Sequence, residues 1–344
     1  MSTPALLEVR DVSVAYPIWG GIFRRRVGEV RAVDHVSFTL HKGETLGLVG
    51  ESGCGKSTLA KTIIALLRHT VPGVRFEGQI LFHRPDGSVV DLLALTPRQM
   101  RPMRSEIQMI FQDPFSSLNP RMTVAEIVEA PLRVRRVKGR RAIVRDLLAR
   151  VGLDPDEQMG RYPHEFSGGQ RQRIGIARAL ALRPELVIAD EPVSALDVSV
   201  QSQVINLLVE LQREFDLTLL FVAHDLSVVE YMSDRIAVMY LGRIVELGNA
   251  DAVYQTPGHP YTQALVSSVP VPDPNVDRSN RIQIKGEIPT PLNRPTGCPF
   301  RTRCNIARPS CADTVPELEP TPTGQLVACL FPPGGRMERP PAEA

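Results

Sequence analysis

The sequence predicts an α/β fold: a parallel or mixed sheet with helices on both faces, followed by a separate loop-rich C-terminal segment. Two observations predict the sheet. Short apolar runs of the kind found in buried strands stand at 45–49, 186–190 and 217–223, and they alternate with segments of helical spacing. A third observation predicts the separate segment, because more than half of the 30 prolines and four of the 5 cysteines lie after about residue 255.

The first predicted strand, 45–49, runs into a phosphate-binding pattern, GxxxxGK[ST], at residues 50–57, and a predicted helix at 58–64 follows. In such a loop the backbone N–H groups and the helix N-terminus bind phosphate oxygens. We expect Lys56 to reach the β and γ phosphates of ATP or GTP and Ser57 to bind Mg²⁺. The candidate nucleotide-binding residues of this stretch are Gly50, Ser52, Gly53, Gly55, Lys56, Ser57 and Thr58.

Cys54 lies inside the same loop, where its backbone rather than its thiol faces the phosphates. We expect this thiol to be open to oxidation or alkylation. Thiol reagents would then inhibit nucleotide binding, and bound ATP would protect against them.

The second predicted strand, 186–190, ends in two carboxylates, Asp190 and Glu191. The carboxyl ends of parallel strands are where α/β sheets bind their ligands. Asp190 is the expected partner of Mg²⁺, and Glu191 is positioned to act as the general base that polarises an attacking water.

Four further motifs are present. Residues 166–170, Phe-Ser-Gly-Gly-Gln, resemble the LSGGQ signature of ATP-binding cassette (ABC) ATPases, with Phe166 at an apolar packing position. Gln112 matches the Q-loop, residues 194–197 match the D-loop, and His224 after the strand 217–223 matches the switch histidine. The chain is therefore identified as a member of the ABC ATPases, with a RecA-like core and a helical subdomain.

The resemblance implies that two ATPase chains sandwich two ATP molecules. Each site then combines Lys56, Ser57, Gln112, Asp190, Glu191 and His224 of one chain with signature residues of the other. The expected catalytic residues are Glu191, His224 and Gln112, with Gln112 also near Mg²⁺. The signature residues expected at the partner's nucleotide are Ser167, Gly168, Gly169 and Gln170.

An aromatic residue is expected to stack on adenine. Tyr16, at the end of a predicted strand 7–14, is where the family places it. Trp19 and Phe23 lie close by in the sequence and remain alternatives.

The domain organisation is predicted from the order of these patterns. Residues 1–91 and 166–255 form the ATP-binding core, and residues 92–165 form the helical subdomain, with helical spacing at 92–95, 123–129 and 142–148. Residues 256–344 form the C-terminal extension, of which the stretch from Pro332 onward is expected to be disordered.

The C-terminal extension carries Cys298, Cys304, Cys311 and Cys329. In a cytoplasmic protein, four clustered cysteines favour a metal site over disulfides. A [4Fe-4S] cluster, a zinc ion and free thiols all remain open. The runs at 258–265, 286–292 and 298–304 resemble the extension of oligopeptide and dipeptide importer ATPases, some of which carry an iron-sulfur cluster on equivalent cysteines.

That resemblance implies a peripheral protein on the cytoplasmic face of the cell membrane. Its implied partners are a second, identical or different, ATPase subunit, two transmembrane permease subunits and, indirectly, an extracytoplasmic peptide-binding protein. Nickel, glutathione or sugar cargo is the alternative within transport, and a soluble ABC ATPase of DNA repair or translation is the alternative outside it. A net charge of +2 gives no indication of nucleic-acid binding, and no apolar run approaches the ~20 residues of a membrane helix.

Overall fold

A computed structural model describes residues 4–20, 25–269, 282–284, 286–290 and 292–335. The strands are β1 (Ala5–Gly20), β2 (Arg25–His41), β3 (Thr45–Val49), β4 (Arg75–His83), β5 (Val89–Asp91), β6 (Ile107–Ile110), β7 (Leu186–Asp190), β8 (Thr218–Ala223), β9 (Arg235–Tyr240), β10 (Arg243–Asn249), β11 (Glu319–Pro320) and β12 (Leu326–Val327). The helices are α1 (Lys56–Ile63), α2 (Leu67–Thr70), α3 (Pro97–Met103), α4 (Pro114–Ser117), α5 (Val124–Val134), α6 (Arg140–Arg150), α7 (Pro155–Gln158), α8 (Gly168–Leu180), α9 (Val198–Phe215), α10 (Leu226–Met232), α11 (Ala250–Gln255) and α12 (Pro260–Ser268).

The chain divides into two compact units. The first contains residues 4–7, 40–45 and 82–223, and the second contains residues 8–20, 25–39, 46–81 and the described residues from 224 onward. Among the described residues, no helix has both the length and the apolar character needed to cross a membrane.

The first unit is built on three parallel strands, β6, β7 and β8. Ile107 pairs with Leu186, and Leu186 pairs in turn with Thr218, so the three strands end at one edge. All residues of β7 and β8 are buried, which explains their continuous apolar sequence. Helix α8 packs against β6 and against α4, α5, α6 and α9.

The second unit contains a mixed sheet. Strand β3 pairs parallel with β9, β10 pairs antiparallel with β9, and β12 extends the sheet on the other side of β10. Strands β2, β1 and β4 are adjacent in that order in another sheet. The phosphate loop follows β3, whose five residues are all buried.

The C-terminal residues are attached to the second unit through buried polar contacts. Glu246 on β10 is fully buried, and its carboxylate accepts the N–H groups of Gly258 at 2.7 Å and His259 at 2.9 Å. Burial raises the pKa of Glu246, while these hydrogen bonds oppose that rise. Arg294 donates to Asp34 on β2 at 2.8 Å, and Arg243 donates to the same carboxylate oxygen at 2.6 Å.

Several predicted elements are confirmed: the strand at 45–49, the strand at 186–190, and the helices within 123–129 and 142–148. Thr123 begins α5 with a capping box that it forms with Glu126. One expectation is wrong: residues 92–95 do not form a helix, and residues 92–94 form a turn. Strand β6 lies within the range 92–165 and was not predicted. The domain boundaries stay a prediction.

Candidate functional site

The phosphate loop lies in the second unit between β3 and α1. Gly55 precedes α1 at φ 112°, and a Cβ atom there would lie 2.2 Å from the carbonyl oxygen of Ala32. A Cβ atom on Gly50 would lie 2.1 Å from the carbonyl oxygen of Met239. Glycine is therefore required at both ends of the loop, where the backbone passes close to its neighbours. Ser52 and Gly53 lie in the loop between them, and Lys56, Ser57 and Thr58 form the first turn of α1.

The ammonium group of Lys56 lies at the centre of this loop. The residue is 3% exposed, and its Nζ donates to the carbonyl oxygens of Gly50 at 2.7 Å and Glu51 at 3.2 Å. A buried ammonium group surrounded by backbone dipoles is suited to bind phosphate oxygens. The binding of the β and γ phosphates by Lys56 stays a prediction.

The surroundings of the Cys54 thiol differ from those expected from the sequence. Its side chain is 5% exposed, and burial raises the pKa of its thiol more than the nearby Lys56 lowers it. A protonated, buried thiol reacts slowly, because the thiolate is the nucleophile. The structure thus argues against the expected sensitivity of this loop to thiol reagents.

Tyr16 lies within β1 rather than after its end, because β1 continues to Gly20. Its hydroxyl donates to Oγ1 of Thr58, in the first turn of α1, at 3.4 Å. The tyrosine therefore lies beside the phosphate loop, and its role in stacking on adenine stays a prediction. Trp19 is exposed on the same strand, and Phe23 lies outside the described residues.

The carboxylates lie in the first unit at the carboxyl end of β7. Asp190 is the last residue of the strand and is 1% exposed. Glu191 follows at φ 47°, a left-handed conformation that is costly for a residue other than glycine. Its backbone N–H donates to the carbonyl oxygen of Val222 on β8 at 2.9 Å.

Gln112 meets Glu191 because β6 and β7 are parallel neighbours. Ile110 pairs with Ala189, so the residues that follow the two strands come together at one edge of the sheet. Nε2 of Gln112 donates to Oε2 of Glu191 at 3.0 Å. This contact joins the predicted general base to the predicted Q-loop glutamine.

The signature residues form the N-terminus of α8. Ser167 is the N-cap residue: its Oγ accepts the N–H of Gln170 at 3.3 Å, and Oε1 of Gln170 accepts the N–H of Ser167 at 3.0 Å. Gly168 and Gly169 form the first turn, and a Cβ atom on Gly169 would lie 2.3 Å from Cγ1 of Val200. Phe166 is buried, in keeping with its predicted packing role. Sequence reasoning missed the capping box, although its spacing, Ser-x-x-Gln, indicates one.

His224 follows β8 and belongs to the second unit, where it is exposed. Its role as a switch residue stays a prediction. Asp197, the last residue of the D-loop motif, caps α9 by accepting the N–H of Val200 at 3.0 Å.

The four C-terminal cysteines line one small cavity together with apolar residues such as Phe331. Cys298 and Cys311 are buried, and the N–H of Cys298 donates to the carbonyl oxygen of Cys311 at 2.8 Å. Burial raises the pKa of Cys298 and Cys304, and raises that of Cys329 to about 11.

In the described part of the chain, the four thiols do not form a recognised metal-binding group. Across the described part of the chain, which includes all four cysteines, no group of three or more His, Cys, Asp or Glu residues could hold a metal ion. The expected zinc ion and iron-sulfur cluster therefore gain no support from this arrangement, although the four side chains do share one cavity.

Sequence reasoning also missed Glu51, the second residue of the phosphate loop. Its carboxylate accepts two hydrogen bonds from Arg303, at 2.7 and 3.0 Å. The two residues are 252 positions apart, so no local pattern could have indicated the contact.

Comparisons with known proteins agree with these motifs. A family model described as ABC transporter matches residues 33–194, and one described as oligopeptide/dipeptide transporter, C-terminal region, matches residues 245–311. The oligopeptide transport ATP-binding protein AppF of Bacillus subtilis (strain 168) is 55% identical over 329 residues, which cover 94% of this chain and 96% of that protein. OppF of Salmonella typhimurium, of the same description, is 54% identical over 332 residues, with coverage of 94% and 96%. A solved dimeric structure of the ATP-binding cassette MJ0796, bound to ADP and Pi, matches with a TM-score of 0.58 at 26% identity and covers 71% of this chain and 99% of its own.

Proposed function

Because this chain belongs to the oligopeptide transport ATP-binding proteins of the ABC family, we propose that it hydrolyses ATP to drive the import of oligopeptides through a membrane permease. The observation that carries the proposal is the similarity at 54–55% identity over nearly the whole length of the relatives, C-terminal region included. Nickel, glutathione or sugar cargo, and a role outside transport, are not favoured by these relatives.

In the proposed site Lys56 binds the β and γ phosphates. Ser57 and Asp190 hold Mg²⁺, with Gln112 beside it, and Glu191 accepts a proton from the attacking water. The support for Glu191 as the base is its hydrogen bond to Gln112 at 3.0 Å and its conformation at the end of β7. His224 contacts the γ phosphate, and Tyr16 stacks on adenine.

A second ATPase chain, identical or different, completes each site with its signature residues. The support is the N-terminus of α8, a 13-residue helix whose first turn consists of Gly168, Gly169 and Gln170 and can bind an anion. Two transmembrane permease subunits and an extracytoplasmic peptide-binding protein complete the proposed complex, with this chain on the cytoplasmic face of the membrane.

The four cysteines are proposed to bind a [4Fe-4S] cluster, because all four side chains line one cavity and such a cluster requires four thiolates. Anaerobic purification followed by iron, sulfide and zinc analysis tests this point. About four iron and four sulfide per chain would support the cluster. One zinc without iron, or no metal, would remove it and leave the ATPase proposal unchanged.

The proposed function is tested in the cells that make this chain. Replacing the gene with its Glu191→Gln form should abolish uptake of a labelled tripeptide and leave nickel uptake unchanged. The matched control is Glu185→Gln, the same substitution just before the other end of β7, where Glu185 forms a part-exposed ion pair with Lys42 at 3.4 Å. Normal tripeptide uptake in the Glu191→Gln cells would contradict the proposal.

A further inference from the structure

One residue of the phosphate loop is held by two residues of the C-terminal segment. The carboxylate of Glu51 accepts hydrogen bonds from both terminal nitrogens of Arg303, at 2.7 and 3.0 Å. The backbone N–H of Glu51 donates to the hydroxyl of Tyr261 at 2.9 Å. Both the side chain and the main chain of Glu51 are therefore fixed from outside the loop.

The contact between Glu51 and Arg303 has the features of a strong ion pair. The geometry is bidentate, and the side chains are 23% and 7% exposed, so solvent screens the pair only in part. Burial alone lowers the pKa of Arg303, but its hydrogen bonds to Glu51 and Tyr240 outweigh burial and raise the pKa. Arg303 is therefore positively charged at neutral pH.

Arg303 and Tyr261 are themselves held in place by an aromatic cluster. The rings of Tyr240 and Tyr261 lie 4.8 Å apart, and Phe300 packs against them at 5.2 and 5.4 Å respectively. Tyr240 and Tyr261 are at most 1% exposed. Because these side chains are already ordered, little conformational entropy is lost when they hold the loop.

Glu51 also touches the lysine that is proposed to bind the phosphates. Nζ of Lys56 donates to the carbonyl oxygen of Glu51 at 3.2 Å, so a shift of Glu51 moves an acceptor of that ammonium group. Small displacements of groups that position a ligand have large effects on binding and rate.

We propose that Arg303 and Tyr261 are positioning residues for the phosphate loop, through which the C-terminal segment sets the affinity of this chain for ATP. Neither residue needs to touch the nucleotide, since both act through Glu51. The proposal rests on the proposed ATPase function and extends it to a part of the chain that otherwise has no role at the nucleotide.

The test compares two arginines of the same loop in the full-length protein. Arg303→Met removes the ion pair and keeps the length of the side chain. Arg301→Met is the matched control, because Arg301 bonds Thr296 within the C-terminal segment, at 2.8 and 3.2 Å. The dissociation constant of ATP is measured by titration with a fluorescent ATP analogue and competition by ATP, and KM and kcat are measured by phosphate release.

We expect Arg303→Met to raise the dissociation constant and the KM for ATP about tenfold while kcat changes by less than about threefold, as for loss of a hydrogen bond to a charged group that acts on binding. Arg301→Met should stay within about twofold of the parent. In a double-variant cycle, Arg303→Met should have much less effect when Glu51 is already replaced by Ala, because the two residues act together.

Tyr261→Phe keeps the aromatic packing and removes the hydroxyl, so it tests the proposal independently if Arg303→Met does not fold. It should raise the dissociation constant about threefold, as for loss of one neutral hydrogen bond.

A merely structural role would lower the melting temperature and the folded fraction but leave the ATP affinity of the folded protein unchanged. That result, in either variant, would overturn the proposal. Failure of the parent protein to hydrolyse ATP while it still binds ATP would instead count against the proposed function.

Discussion

Glu191→Gln is the substitution expected to slow ATP hydrolysis with little effect on the affinity for ATP. Glutamine has the shape of glutamate, and its amide oxygen can still accept the hydrogen bond that Gln112 donates at 3.0 Å. The backbone bond from residue 191 to Val222 and the left-handed conformation at φ 47° are available to both residues. The variant should therefore fold and bind ATP like the parent, and lack only a group that can accept a proton.

The size of the effect follows from the role of a general base. Such a base contributes about 10²- to 10⁴-fold to a rate, which corresponds to about 2.7–5.4 kcal/mol in the activation free energy. We expect kcat for phosphate release at saturating ATP to fall by at least about 100-fold, and the dissociation constant of ATP to change by less than about threefold.

The assay measures phosphate release and ATP binding on the same preparation, with Glu185→Gln as the control for loss of a carboxylate next to β7. The ion pair of Glu185 with Lys42 is part-exposed, so its loss should matter little. If the Glu191→Gln protein turned over ATP within about tenfold of the parent rate, Glu191 would not be the base and the reasoning from β7 would be wrong.

Three further predictions concern stability and reactivity. Burial would raise the pKa of Asp34, but the arginines beside it outweigh burial and lower this pKa in the folded protein. The ionised Asp34 carboxylate therefore stabilises the fold above pH 3.8, and this stabilisation is lost as the pH falls. Asp34→Asn should therefore lower the free energy of unfolding by about 2 kcal/mol at pH 7 and by less below about pH 4. Urea titrations at the two pH values measure this difference, and equal losses at both would contradict the prediction. Cys54 should resist iodoacetamide at pH 7.5, with or without ATP, until the protein unfolds, and rapid labelling of the native protein seen by mass spectrometry would disprove it. Gly169→Ala should cost about 1–3 kcal/mol through contact with Val200, and Val200→Ala should restore most of that loss in thermal melts; an uncompensated loss would refute the steric explanation.

The parts of the fold that the sequence predicted well have strong local signals. The run 45–49 is apolar throughout and precedes a glycine-rich loop, and the helical stretch at 123–129 begins with the capping residues Thr123 and Glu126. Strand β6 was missed because its four residues, Ile107–Ile110, are too few for a periodicity to distinguish a strand from a helical turn. Residues 92–95 have helical spacing, but residues 92–94 lie in a turn that Asp91 supports by accepting the N–H of Leu93 at 3.0 Å.

The sequence predicted which residues belong to the candidate site, but it did not predict the contacts between them. The residue types of Lys56, Asp190 and Glu191 at their spacing indicate nucleotide chemistry, because phosphate and Mg²⁺ require them. Contacts between distant segments follow from the tertiary fold and leave no trace in a single sequence. The bonds of Glu51 to Arg303 and of Glu246 to the residues before α12 belong to this class.

The pairing of β12 with β10 has a consequence for solubility. Without β11 and β12, β10 would present a row of unpaired N–H and C=O groups, and such an edge can pair with another chain and nucleate aggregation. The two residues of β12 cover the middle of β10, through the pairs of Val327 with Glu246 and Leu326 with Leu247. The new outer strand, β11, has two residues, and the second is Pro320, which has no N–H to offer. Strands β11 and β12 therefore protect this part of β10 from pairing with another chain. A protein without these two strands would expose the edge of β10 and would be more prone to aggregate.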